Sequence, residues 1–252
     1  MKMRYLGKCL LLEDERKENT GKNEKVLVVG DLHLGYEEAL NKAGVFVSRQ
    51  MFEEMISDLN LVFGEVGHVN KVILLGDIKH DFGGILKQEW RDVTKILDYF
   101  SSMADKVIVI RGNHDTMLEP ILKKKKMKLR DYYIWKEFCF LHGDSDFEFL
   151  WDRKRGSGKE IEYLVVGHGH PAVRLNEGVK SEKYKCFLVG KFRGKNLIVV
   201  PSFIDYYVGS DPREGEIVLA WDIDFGNFDV KVVPVAPGEL EVLDFGKLKR
   251  LK

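Results

Sequence analysis

Residues 25–33 read KVLVVGDLH: a lysine, four apolar residues in a row, a glycine, then an acid and a histidine separated by one leucine. An unbroken Val/Leu run that ends in a Gly-containing polar cluster reads as a buried strand delivering its loop to one edge of a sheet. Four later stretches repeat the arrangement: KVILLGD at 71–77, KVIVIRGNHD at 106–115, FCFLHGD at 138–144 and YLVVGHGH at 163–170.

What lies between these runs sets the fold class. Ser48 stands where it would cap a helix running to about Phe63, with Met51, Met55, Ile56, Leu59 and Val62 on one face; Lys87 to Met103 carries Trp90, Val93, Ile96, Leu97 and Phe100 with the same spacing. Strands alternating with helices in this way predict βαβ units and a parallel sheet. After His170 the texture changes. CFLVGKF (186–192), NLIVVPSF (196–203), EIVLAWDI (216–223) and FDVKVVPV (228–235) follow one another with short turns, which predicts antiparallel strands. The expectation is an α/β protein: a layered αββα sandwich of two mixed β-sheets flanked by helices. We read residues 1–252 as a single domain with a motif core at about 26–203 and a β-rich part at 204–252. The polar stretch RKRGSGK at 153–159 is read as a loop, since chemistry-bearing residues lie on both sides of it.

Composition narrows the class. A 44% hydrophobic share suffices for a core, and 32% charged residues can cover a globular surface. Lys+Arg and Asp+Glu both number 40, so no global field draws the chain to nucleic acid or a membrane surface, and any such partner must meet a local patch. Cys9, Cys139 and Cys186 are far apart and form no C-x-x-C pair, which argues against a disulfide framework and for a reducing, cytoplasmic setting. The N-terminal MKMRYLGKCLLLEDERKE lacks a small-residue cleavage site, and no apolar run approaches membrane-spanning length.

Of seven histidines, His33, His114, His142, His168 and His170 come directly after an apolar strand, beside Gly, Asp or Asn. Metal sites need that placement, because imidazole nitrogens, carboxylates and an amide oxygen must converge from rigid supports. On extended backbone Asp31 and His33 project to the same side, so one cation can take both. Asp77 ends the second strand, where its two oxygens can bridge two cations. Gly112 allows the tight backbone that turns Asn113 toward a metal. Each pattern alone is weak; five in this order, each at a strand end, are not a chance set.

DLH, GD, GNHD, HGD and GHGHP, over roughly Val26 to Phe203, resemble the calcineurin-like metallophosphoesterase superfamily. The resemblance implies two divalent metal ions: one held by Asp31, His33 and His170, the other by Asn113, His142 and His168, with Asp77 bridging. It implies catalysis by a metal-bridging hydroxide, with His114 as a catalytic residue beside the scissile phosphate rather than a ligand. GDIKHDF places His80 three residues after Asp77, as in the nuclease branch typified by SbcD, where the histidine at this offset supports the catalytic one; His80 is assigned to orienting His114. The pattern is most similar to archaeal SbcD-related phosphoesterases and bacterial ligase-associated phosphodiesterases. Residues 204–252 are too few for the DNA-capping region of the repair nucleases, so phosphodiester hydrolysis is expected rather than double-strand-end processing.

The expected activity is that of a phosphodiesterase or nuclease-like hydrolase, with Mn²⁺ favoured and Fe, Ni or Zn suited to the same oxygen and imidazole donors. Its partner is a phosphodiester substrate, with nucleic acid a candidate, and no membrane. The alternatives are a phosphomonoesterase or nucleotide phosphatase, and a non-catalytic scaffold of the same fold. Four features stay open. The basic run 122–130 (LKKKKMKLR) is either a phosphate contact or a solvated face. Lys79 and Arg111 are candidates to touch substrate phosphate, and Arg111, beside a strand, is equally a candidate ion-pair residue. The insertion from Arg174 to Arg193 is a lid over the metals or an edge hairpin. His68, without a partner motif, reads as a plain surface residue.

Overall fold

In the computed structural model, the described residues are 1–15, 23–82, 87–151, 160–235 and 238–251. The stretch 153–159 read as a loop therefore lies outside them. The chain begins with a hairpin that sequence reading did not identify: β1 (Lys2–Leu6) turns through Gly7, at φ +53°, into β2 (Cys9–Asp14). Its left-handed backbone is one that glycine adopts without the Cβ clash. β2 pairs antiparallel with β3 (Glu24–Val29), the KVLVVGDLH strand. Then follow α1 (Tyr36–Lys42), α2 (Met51–Val66), β4 (Val69–Leu74), α3 (Lys87–Met103), β5 (Ala104–Ile110), α4 (Glu119–Lys124) and the short β6 (Leu129–Arg130). β3, β4, β5 and β6 pair in parallel, as the alternating pattern predicts, so the first sheet runs β1-β2-β3-β4-β5-β6.

The second sheet takes β7 (Tyr132–Trp135), β8 (Phe138–Leu141), β9 (Tyr163–Val166), β10 (Ala172–Glu177), β11 (Lys180–Phe192), β12 (Lys195–Val199), β13 (Asp229–Val232) and β14 (Leu243–Lys247). Its order is β14-β13-β11-β12-β9-β8-β7, with β10 paired to the first half of β11. β12, β9 and β8 are parallel neighbours and the remaining pairs antiparallel, so both sheets are mixed. The insertion after Arg174 is thus the β10–β11 hairpin.

Three apolar layers hold the sandwich. Between the sheets, Leu10, Val26, Val28, Ile73 and Ile110 from one face meet Phe138, Phe140, Val165, Phe187 and Ile198 from the other. On the outer face of the first sheet, Met55, Leu59 and Val62 of α2 and Val93, Ile96 and Phe100 of α3 pack on Leu27, Val72 and Val109. Strand side chains alternate between these two layers, as period two requires. The outer face of the second sheet is covered by Leu150, Trp221, Phe225, Phe228 and Leu248. All but Trp221 sit on or beside short 3-10 helices (Glu148–Leu150, Phe225–Asn227, Leu248–Arg250), so the helical cover of this side is made of single turns among the described residues.

Two local expectations are corrected. EIVLAWDI at 216–223 has no strand: Trp221 turns inward and Ile217 and Leu219 lie over the second sheet as an irregular apolar cover. Its alternation marks a half-buried segment, and that pattern cannot say whether a neighbouring strand is there to pair with. Nor does Ser48 cap α2. The helix begins after Gln50 with no side-chain cap of its own, and the buried carboxylate of Glu37 on α1 accepts from the N–H groups of Gln50 and Met51 at 2.7 and 2.8 Å. A carboxylate there satisfies donors that the first helical turn leaves unpaired. Replacing it, Glu37→Ala, is expected to cost about 1–2 kcal/mol, and thermal melting followed by circular dichroism should show Tm falling roughly 2–4 °C for each kcal/mol.

Candidate metal centre

The face-to-face packing brings the carboxyl ends of the parallel strands of both sheets to one edge. Asp31 follows β3, Asp77 follows β4, Asn113 follows β5, His142 follows β8 and His168 follows β9. Loops from such strand ends are where open α/β sheets place their ligands. Here the loops are tied together by backbone bonds beyond the strands: Leu32 and His33 N–H both donate to Asp77 O, Leu34 to Ile78 O, His80 to Leu34 O, and Gly167 to His142 O.

The seven expected donors converge. His33 Nε2 lies 3.2 Å from His170 Nε2, and Asp31 Oδ2 is 3.7 Å from the latter. His142 Nε2 is 3.0 Å from Asn113 Oδ1 and 3.1 Å from His168 Nδ1. Asp77 Oδ2 stands between these groups, 3.7 Å from His33 Nε2 and 3.4 Å from His142 Nε2. Asp31, His33 and His170, and separately Asp77, His142 and His168, each bring their ligand atoms within 4.8 Å of one another. A third such group, His33, His80 and His114, overlaps the first through His33.

Four of these residues hold unusual backbone. His33, Asp77, His168 and His170 have φ of 45°, 47°, 59° and 41°. Left-handed backbone costs a residue with a Cβ on the order of 1 kcal/mol, and such conformations cluster at functional sites. Glycines beside them create the room. A Cβ on Gly112 would lie 2.1 Å from Asp77 Oδ1, and one on Gly30 would lie 2.3 Å from Pro201 O. Gly112 therefore makes space for the carboxylate of Asp77, beyond the expected turning of Asn113. Gly30 lets the PSF segment close over the DLH loop, where Phe203 N–H donates to Asp31 O at 2.7 Å.

The protonation states suit cations. Burial, then the charge of His170, holds the His33 imidazole well below its usual range; burial and His142 do the same for His168. Burial works against ionised carboxylates at Asp31 and Asp77, but His170 and His142 outweigh it and hold both down. Neutral imidazole beside ionised carboxylate is the state in which these groups bind a metal. His142 is the exception. Burial disfavours its charge, yet the Asp77 hydrogen bond and the charges of Asp31 and Asp77 raise it to about 9. Its Nδ1–H donates to Leu75 O at 2.8 Å, which aims Nε2 at the other donors. Seven oxygen and imidazole donors, with their orienting partners, fit divalent cations.

His114 donates from Nδ1 to the carbonyl oxygen of His80, and its own N–H is held by Asp77 Oδ1 at 2.9 Å. The contact expected of His80 is thus made by its backbone. Its imidazole stacks on His114 at 5.4 Å between ring centres, faces His33 with Nδ1 atoms 3.4 Å apart, and packs edge-on to Tyr36. Burial, then His114, lowers His80 to about 4.

Other expectations divide. Lys79 is fully buried, its Nζ bonded to Asp81 O, and Arg111 pairs with Asp131 and Glu119. In the basic run, Lys125 pairs with Asp98, and Lys126 and Lys128 lie beside the start of β5, whereas Asn113 follows its end. His68 pairs at the surface with Asp105.

Sequence reading missed two supports. Asp115, quoted within GNHD without a role, accepts from Ile78 N–H and Gly112 N–H, each at 3.0 Å; burial, then the charge of Asp77, pushes it up to about 7. Glu89, an acid on the inner face of α3, is buried and accepts from the N–H groups of His80 and Asp81 at 3.0 and 3.1 Å. An acid among apolar positions was the available signal.

The family model for calcineurin-like phosphoesterases matches residues 24–233. Nuclease MPE of Pseudomonas putida has 16% identity and a TM-score of 0.54, over 92% of this chain and 100% of that one. A single mutant of Vps29 from Entamoeba histolytica has 17% identity and a TM-score of 0.38, over 88% and 99%. Yfce, a phosphoesterase from E. coli, has 19% identity and a TM-score of 0.33, over 59% and 72%. At this identity the likeness to nuclease MPE is one of fold. No curated protein matches the chain.

Two outcomes follow from this geometry. Gly112→Ala should push the Asp77 carboxylate aside and weaken divalent-cation affinity about 10- to 100-fold, read by titration calorimetry, with Gly64→Ala, where a Cβ meets nothing within 4 Å, as the neutral control. Because His142 carries a proton at neutral pH and a cation needs its neutral form, binding at pH 7 should release about one proton. Affinity should then fall as pH drops below about 9; a binding heat identical in buffers of different ionisation enthalpy would contradict this.

Proposed function

This chain belongs to the calcineurin-like phosphoesterase family, and from that premise we propose that it is a two-metal phosphodiesterase working at the edge where the seven donors meet. The two-cation reading rests on Asp77, whose Oδ2 lies within 3.7 Å of His33 Nε2 on one side and 3.4 Å of His142 Nε2 on the other. Asp31, His33 and His170 would hold one cation and Asn113, His142 and His168 the other, with Asp77 reaching both. The mixed oxygen and imidazole donors suit Mn²⁺, Fe, Ni or Zn, and Mn²⁺ is the ion proposed. Bound cations would supply acidification of a water and neutralisation of charge on the phosphoryl oxygens.

The chain's own part falls to His114 and the rings around it. His114 keeps its Nδ1 proton against the His80 carbonyl, so the proton it gives to the leaving oxygen is the one at Nε2, which points into the site 3.8 Å from Asp77 Oδ2. A row of ring contacts crosses the site: Phe82 to His114 at 3.6 Å, His114 to His33 at 4.9 Å, His33 to His170 at 5.0 Å and His170 to Tyr207 at 5.8 Å. Phe82 and Tyr207, at its two ends, are 56% and 41% exposed. A diester carries an organic group on each side of phosphorus and a monoester on one only, so exposed rings at both ends favour the diester. Nucleic acid, whose bases can stack on such rings, belongs to this substrate class. The three cysteines are free and buried, which supports a reducing compartment such as the cytoplasm; no described helix is long and apolar enough to cross a membrane.

Chelator-stripped protein given Mn²⁺ should hydrolyse bis-p-nitrophenyl phosphate faster than p-nitrophenyl phosphate, and Asp77→Ala should abolish this. His114→Ala should lower kcat about 10²- to 10⁴-fold, while Phe82→Ala raises KM for aromatic diesters and leaves kcat near that of the parent. Turnover of the monoester alone would move the assignment to a phosphatase, and none on either to a scaffold.

A further inference from the structure

Behind the Asp31 side of the metal centre is a cavity of about 430 Å³, lined among the described residues by Val62, Phe203, Pro234 and Leu240 together with three lysines. Two of the lysines are neutralised: Lys8 by Asp58 and Asp205, Lys183 by Glu214 and Glu216. The third, Lys185 on β11, is 8% exposed and has no carboxylate partner among the described residues. Its Nζ donates to Ser202 Oγ at 2.8 Å and to Tyr207 O at 2.9 Å.

Burial without a carboxylate partner among the described residues favours a neutral amine. An ammonium has three N–H groups to satisfy, and burying it without a counter-ion is costly. A neutral amine avoids that cost and carries a lone pair. The setting agrees: burial, then the positive charge of Lys8, lowers Lys185 to about 7 against the opposing Asp205, Asp31 and Cys186. Glu54 and Asp58 from α2, Lys183 and Tyr184 from β11, and Glu239 are the other titratable groups lining the cavity. Buried, desolvated lysines of this kind are the ones that act as nucleophiles toward carbonyl compounds.

We propose that Lys185 is a carbonyl-reactive amine that captures a small, largely apolar aldehyde in this cavity as an imine. The Nζ lone pair forms the new bond to the carbonyl carbon, both amine protons leave with the carbonyl oxygen as water, and a C=N bond remains. Nothing is oxidised or reduced. The two partners of Nζ connect the cavity to the metal centre: Ser202 precedes Phe203, whose N–H holds Asp31, and the Tyr207 ring lies against His170. The inference stands apart from the phosphodiesterase reading, since trapping needs no turnover.

The test is incubation of the full chain with benzaldehyde and cyanoborohydride from pH 6 to 10, followed by peptide mapping of the benzylated lysines. At pH 7 a lysine titrating near 7 has on the order of 10³-fold more neutral amine than a surface lysine. Lys185 should therefore be labelled at least about tenfold above any other lysine at pH 7, with half-maximal rate near pH 7, and Lys185→Met should remove that label alone. The pH profile of the parent protein decides the matter even if the variant does not fold. Labelling spread evenly over the surface lysines, or reaching Lys185 only above about pH 9, overturns the proposal.

Discussion

Asp77 is the point on which the candidate centre depends. Its carbonyl oxygen takes the N–H groups of Leu32 and His33, its Oδ1 takes that of His114, and its Oδ2 lies between His33 and His142. One residue thus fixes three loops from the first sheet and faces a donor from the second. It does so with φ at 47°, a conformation that must be held by its surroundings. Gly112 holds it by presenting no side chain where the carboxylate sits, and Asp115 returns the clasp by accepting the N–H of Ile78.

The same loops carry their polar groups to the candidate donors from fixed directions, which a metal centre requires and a loose cluster of histidines lacks. Leu75 O orients His142, the His80 carbonyl orients His114, and Glu89 holds the N–H groups that place that carbonyl. None of these three acceptors is itself among the seven donors. Rigid supports of this sort let convergent donors keep their geometry before a cation arrives, and outer partners tune affinity as strongly as the donors' own identity.

The sandwich arrangement also explains why chemistry of different kinds collects on one side. Parallel strands of both sheets end at the same edge, so the candidate metal centre, the exposed ring of Tyr207 and the Lys185 cavity share the segment from Ser202 to Tyr207 as a common wall. That segment follows β12, the parallel neighbour of β9, and is pinned across Gly30.

Much of this was legible in the chain itself. Val/Ile/Leu runs ending in Gly-containing polar clusters gave the strands and their order of appearance, because a strand buried on both faces can only be apolar throughout. That the seven candidate donors and His114 stand at strand ends was legible for the same reason: each follows such a run. The N-terminal hairpin was passed over, since a short run broken by Gly7 and Lys8 signals no partner until β3 is there to pair with it. EIVLAWDI had a strand's composition and found no strand to pair with. Glu37 as the cap of α2, Asp115 as the clasp, the carbonyl rather than the ring of His80 as the support of His114, and Lys185 as a buried amine were all decided by tertiary structure. Local sequence records what a residue can donate or accept, whereas which partner it meets depends on packing between elements far apart in the chain.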